Sequence, residues 1–279
     1  NQGGTNSTGM VFELSPDSSG GYTETILYDF NVYGSGDGSG PYGSLAFNES
    51  GDLIGTTSGG GASGAGTVYR LTPKSGGGWT EKIIYSFSMS GGDGQYPAAG
   101  VAIGKNGALY GTTAFGGTNS SGAVYKLSET AKGLTEKVIH SFSGSGDGSY
   151  PYGGLTLDSL GNLYGTTSIG GAVGYGSVYR LKPTKSGWTE TLLHSFTDHN
   201  GDGSGMYYVN IVSDAAGNLY GATAFGGANA TGIVWELVYS KTMNKYSEKI
   251  LYTFGATGSG DGNYPYGGVV MGKPGTLFG

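Results

Sequence analysis

The chain has 279 residues, 60 glycines, 22 tyrosines, no cysteine and a formal net charge of −6, with charged residues only 12% of the total. The acidic balance argues against nucleic acid as a partner, since phosphate binding needs clustered Lys and Arg. The missing cysteines exclude a disulfide or thiolate–metal scaffold, and no apolar run approaches the roughly 18 residues of a membrane-spanning helix. Glycine this abundant without a three-residue period is not collagen, and the recurrent aromatics set the chain apart from disordered sequence.

In chain order, the opening Asn1-Gln2-Gly3-Gly4-Thr5-Asn6 matches Ala224-Phe225-Gly226-Gly227-Ala228-Asn229 far downstream. Asn1 is not an initiator methionine, so a removed leader or a longer precursor is expected. Next come Ile54-Gly55-Thr56-Thr57, Tyr110-Gly111-Thr112-Thr113, Tyr164-Gly165-Thr166-Thr167 and Tyr220-Gly221-Ala222-Thr223, then a truncated Phe278-Gly279. The spacings of 56, 54, 56 and 58 residues define five copies of one repeat.

Each copy holds four strand-like runs. In one copy these are Gly154–Asp158, Leu163–Thr167, Ser177–Leu181 and Trp188–Phe196, with a tight turn at Gly161-Asn162 and a second from Pro183 to Gly187. In the last run, alternation puts Trp79, Ile83, Tyr85 and Phe87 on one face and Thr80, Lys82, Ile84 and Ser86 on the other. No segment has a helical period. The expected fold is all-β: a five-bladed β-propeller of four-stranded antiparallel blades, one domain over residues 1–279. A β-solenoid is the alternative, but it normally uses a shorter repeat. The closing blade is expected to join residues 267–279 to residues 1–30, which would hide the sheet edges.

The run Asp147-Gly148-Ser149-Tyr150-Pro151-Tyr152-Gly153-Gly154-Leu155-Thr156-Leu157-Asp158, followed by Gly161-Asn162-Leu163-Tyr164, resembles the NHL-type repeat and gluconolactonase-like propellers. With its Gly-Thr-Thr and Gly-Gly elements, the whole unit is more similar still to the GloVer-type tandem repeat of secreted bacterial proteins. That resemblance covers essentially the full chain. It implies propeller strands and a secreted, extracellular or cell-surface location, and it implies no activity.

Two loop families are expected on one face. One is the Gly-Asp-Gly loop with Asp37, Asp93, Asp147, Asp202 and Asp261; the other is the Gly-Gly loop after the second strand. Tyr42, Tyr96, Tyr150, Tyr152, Tyr264 and Tyr266 lie beside the aspartates. Aromatic rings cover the apolar face of a pyranose and carboxylates accept from its hydroxyls, so the candidate ligand is a glycan or cell-surface polysaccharide. The competing reading is that Asp-Gly makes the turn and Tyr-Pro staples the loop.

The repeat departs from itself in the fourth copy. Asp198-His199-Asn200-Gly201-Asp202-Gly203 has the opening of a calcium loop, making Asp198, Asn200 and Asp202 candidate metal ligands and calcium the candidate cofactor. The acid expected six positions after Gly203 is absent, because that position is Val209. Beyond it, Met206, Tyr207 and Tyr208 are candidates to line a pocket mouth. His140 and His194 stand where other copies have Tyr28, Tyr85 and Tyr252, which points to packing. Glu24, Glu81, Glu136, Glu190 and Glu248 recur once per repeat and read as solvated edge charges. The sequons at Asn6, Asn48, Asn119 and Asn229 mark turns that can be glycosylated.

Glu49, Asp158 and Asp214 make no convincing acid–base pair for glycoside hydrolysis, and no zinc or Ser-His-Asp motif is visible. The expected function is non-catalytic carbohydrate binding. The alternatives are an extracellular filament built by head-to-tail self-association and a five-bladed glycoside-active enzyme.

Overall fold

The computed structural model describes residues 3–130, 133–255, 261–273 and 275–279. It is all-β and antiparallel, apart from one short 3-10 turn at Lys105–Gly107. Four sheets have four strands each, joined in chain order. The first comprises Ala46–Phe47, Leu53–Thr57, Thr67–Pro73 and Trp79–Ser86; the second, Ala102–Ile103, Leu109–Thr113, Ala123–Thr130 and Gly133–Ser141. The third comprises Thr156–Leu157, Leu163–Thr167, Ser177–Thr184 and Gly187–Ser195; the fourth, Val212–Ser213, Leu219–Thr223, Ile233–Ser240 and Lys245–Thr253. Five smaller sheets have two strands each: three join loops, and the other two pair Met10–Pro16 with Tyr22–Asp29 and Val270–Met271 with Leu277–Phe278. Among the described residues these two do not pair with each other.

The Gly-Thr-Thr signature has a separate physical reason at each position. Tyr125 lies across Gly111, where a Cβ would stand 2.3 Å from the phenol oxygen; Tyr69 covers Gly55 and Tyr179 covers Gly165 in the same way. The first threonine ties one sheet to the next: Thr56 Oγ1 donates to the Ala99 carbonyl at 2.8 Å and Thr112 Oγ1 to that of Gly153 at 2.7 Å. The second pairs across the hairpin, as in Thr57 with Thr67 at 2.7 Å and Thr167 with Ser177 at 2.8 Å.

The core lies between successive sheets. Phe30, Phe87 and Phe142 are wholly buried and meet Tyr69, Tyr125 and Tyr179 of the next sheet edge-on, with ring centroids 5.0–5.2 Å apart. Each such burial is worth about 1.5–3 kcal/mol. A second lock recurs beside it. Pro41, Pro97, Pro151 and Pro265 press on Gly9, Gly66, Gly122 and Gly232 of the preceding repeat, where a Cβ would fall 2.3–2.7 Å from the ring.

Three expectations need correction. The fourth strand does not alternate evenly: Val68 pairs with Tyr85 and Tyr69 with Ile83, so a bulge at Ile84 turns Tyr85 to the face opposite Ile83. The same bulge precedes His140 and His194. The first strand shrinks to Thr156–Leu157, because Gly153 and Gly154 are pressed against Val209 and Asn210 of the next repeat. The third strand runs on to Thr184, with Pro183 paired to Trp188. Beyond Leu181 that strand has no second-strand neighbour, so a proline is tolerated there.

Candidate functional site: a tyrosine-lined face

The Gly-Asp-Gly and Gly-Gly loops do pair with each other: Gly38 opposes Gly60, Gln95 opposes Phe115 and Gly203 opposes Gly226. Their aspartates turn back into their own loops. Asp37 accepts from Tyr28 Oη at 2.8 Å, from the Asn31 amide and from the Gly38 amide. Asp93 repeats this with Tyr85, Ser88 and Gly94, and Asp261 with Tyr252 and Gly255. Asp147 accepts from the Ser143 amide and hydroxyl, while Asp202 accepts from Thr197 and from the Gly203 amide. These bonds account for the aspartates as loop staples.

The tyrosines behave differently. Tyr42, Tyr208 and Tyr266 are 40–50% exposed and join a continuous aromatic belt. Tyr42 stacks on Tyr208 with centroids 6.4 Å apart and an interplanar angle of 19°. Tyr208 meets Tyr152 at 5.7 Å, Tyr152 meets Tyr207 at 5.9 Å, and Tyr207 meets Tyr266 at 5.8 Å. Tyr96 approaches Tyr42 at 6.4 Å, and Phe115 and Phe225 join the belt through edge-on contacts. Tyr96, Tyr150, Tyr208 and Tyr264 hold φ between 53° and 61°, a left-handed geometry unfavourable to a residue with a Cβ. Burial, followed by neighbouring phenols, raises the pKa of Tyr96, Tyr152 and Tyr208, so these hydroxyls stay protonated and can both donate and accept.

The belt encloses two shallow recesses. One, of about 420 Å³, is lined by Tyr42, Ala98, Ala99, Tyr152, Tyr208 and Asn210, with Ser44 at its edge. The other, of about 520 Å³, lies among Tyr96, Phe115, Tyr152, Tyr207, Phe225 and Tyr266. The first exists because the repeats are unequal. The second sheet's repeat has Ala98 after its proline where others have a tyrosine, which leaves a hollow, and the fourth carries the additional Tyr208. Asn210 is held in place by accepting from the Gly154 amide at 2.8 Å.

Tyr42, Tyr152, Tyr207, Tyr208 and Tyr266 therefore come together. Met206 does not join them. It is wholly buried and packs on Gly176 in the place of the prolines, so it is a lock and not part of the pocket mouth. Asp198 Oδ1 accepts from Ser204 Oγ at 2.7 Å, and Asp198 and Asn200 both hold positive φ near 56°, as in a tight turn. Asp202 faces away from them toward Thr197 and His194. The four sequon asparagines use their amide nitrogens internally: Asn6, Asn119 and Asn229 donate to the carbonyls of Phe30, Phe142 and Phe254, and Asn48 to Asp52.

The glutamates overturn their reading as solvated charges. Only Glu24 is exposed. Glu81, Glu136 and Glu190 are partly buried, and one carboxylate oxygen of each is wholly buried with no hydrogen-bond partner. Burial, then the charge of Asp37, Asp93 or Asp147 in the loop that enters the same sheet, pushes these carboxyls up to about 7. The sequence hid this because position in a repeat does not show that the preceding sheet covers it.

A succession of near-identical antiparallel sheets, each locking onto the next, defines a β-sheet repeat protein. The chain belongs to the Gloeobacter/Verrucomicrobia repeat family, whose model matches residues 76–279. A search of curated proteins gave no significant match.

Proposed function

We propose that the protein is a non-catalytic, extracellular or cell-surface carbohydrate-binding module, a five-bladed propeller that presents its tyrosine belt to a glycan. The observation that carries this reading is the recess walled by Tyr42, Tyr152 and Tyr208 and floored by Ala98 and Ala99. Protonated phenols, Asn210 and Ser44 supply hydroxyl and amide partners around apolar ring faces, which suits a sugar ring with equatorial hydroxyls. The second recess is continuous with the first through Tyr152 and Tyr208, which favours a chain of several sugars over a monosaccharide. The aspartates support the loops and not the ligand.

The test is a glycan array, followed by titration of the strongest binder with wild type and with Tyr208→Ala. Loss of a stacking ring should weaken binding at least tenfold, with far-UV circular dichroism unchanged. Equal binding by both proteins would defeat the proposal.

A second reading is favoured by one observation. The edges of Met10–Pro16 and Leu277–Phe278 are unpaired among the described residues, and Phe12, Leu14 and Phe278 are 49%, 53% and 60% exposed there. Such edges invite strand pairing, and pairing between copies would build a filament. Light scattering distinguishes the two: a monodisperse 28.3 kDa particle denies the filament, and a concentration-dependent polymer supports it.

A further inference from the structure

We propose that His194, Asp202 and Glu248 form a site for a divalent first-row transition ion, of the zinc class, that clamps the third sheet to the fourth. His194 lies at the end of the third sheet's last strand, Asp202 in the loop entering the fourth sheet, and Glu248 on the fourth sheet's last strand. The three bring one ligand atom each within 4.8 Å of one another, the only such group of His, Cys, Asp and Glu among the described residues. His194 Nε2 stands 3.9 Å from Asp202 Oδ1 and 3.8 Å from Glu248 Oε2. These separations are too long for hydrogen bonds. They are close to the edge of about 3.3 Å between donors that each sit about 2.0–2.2 Å from a tetrahedral ion.

The repeats supply an internal comparison. Where the equivalent residue is Tyr28, Tyr85 or Tyr252, its phenol donates to the loop aspartate at 2.8–2.9 Å and completes the contact. Where it is His194, no hydrogen bond forms, and His194 Nε2 is wholly buried without a partner although two carboxylates stand within 4 Å of it. Buried polar atoms are ordinarily paired, and an unpaired donor or acceptor calls for an explanation such as an ion. An imidazole with two carboxylates suits zinc better than calcium, which takes six to eight oxygens. At the neighbouring seam His140 Nε2 lies 3.5 Å from Asp147, but Glu190 does not complete a three-ligand group there. Asp202, picked out in the sequence for a calcium loop, here serves a different set of partners.

The test uses the full, tag-free chain, freed of metal by EDTA and then desalted. Zn²⁺ is titrated against a competing chromophoric chelator, with Ca²⁺ as a second probe. We expect one Zn²⁺ per chain, a raised thermal midpoint with Zn²⁺, and visible d–d absorption when Co²⁺ replaces it. His194→Tyr should weaken Zn²⁺ at least 100-fold yet keep the metal-free melting temperature, because tyrosine already serves that position in three repeats. Glu248→Gln should show the same loss and carries the test if the first variant fails to fold. His140→Tyr should leave Zn²⁺ affinity within twofold of wild type. The proposal is overturned if no Zn²⁺ binds at one per chain, if both site variants bind as wild type, if His140→Tyr removes binding, or if only Ca²⁺ binds.

Discussion

Replacing Glu81, Glu136 and Glu190 together by glutamine should flatten the pH dependence of stability. Each carboxyl is raised from 4.5 to about 7, chiefly by burial and then by a neighbouring aspartate. The folded protein therefore holds protons that the unfolded chain releases, and stability is greatest below about pH 4.5 and falls as pH rises through 7. A shift of this size is worth roughly 3 kcal/mol per group if fully expressed. The side chains are only about half buried, and solvent screening reduces it to about 1 kcal/mol each. Three such groups make about 3 kcal/mol, or a fall of roughly 5–10 °C in melting temperature between about pH 4 and pH 8.5. His140, whose pKa burial lowers, works in the opposite direction, losing stability as pH falls, and offsets part of this. The assay is calorimetry at both pH values with a chelator present. The triple variant, fixed in the neutral form, should lose most of the difference and melt above wild type at pH 8.5. A wild-type protein with no fall across that range, or a triple variant that keeps it, would refute the reasoning.

Gly111→Ala should cost about 1–3 kcal/mol in urea unfolding, because its Cβ has no room beneath the Tyr125 phenol. Met206→Ala should cost about 2–5 kcal/mol, since the side chain is wholly buried against Gly176; a loss under 1 kcal/mol would put Met206 outside the core. Thr112→Val should cost about 1 kcal/mol by removing the bond to the Gly153 carbonyl between sheets. Asp93→Ala should lower the melting temperature yet leave glycan affinity within twofold, because its carboxylate serves Tyr85, Ser88 and Gly94.

Strand order was legible because the repeat carries its own punctuation. Leu163 to Thr167 forms a strand with the expected bounds, and Gly161-Asn162 makes the expected turn. What escaped were features that depend on the neighbouring repeat. The bulge at Ile84 is set by cross-strand register, which alternation of residue types does not reveal. The burial of Glu136 exists only once the second sheet packs on the first, and Ala98 matters for the side chain it lacks. Tyr208 was visible as an insertion into an otherwise regular copy. The aspartates drew attention by recurring, and they recur because every loop needs the same staple.

The most direct test of the central claim is a crystal structure of the protein with the oligosaccharide bound most tightly on the array. The account predicts a sugar ring in the recess over Ala98 and Ala99, stacked against Tyr208 or Tyr42, with the Gly-Asp-Gly carboxylates still engaged in their loops. A sugar seated instead on those carboxylates, or on the opposite face beside Asp158 and Asp214, would contradict it.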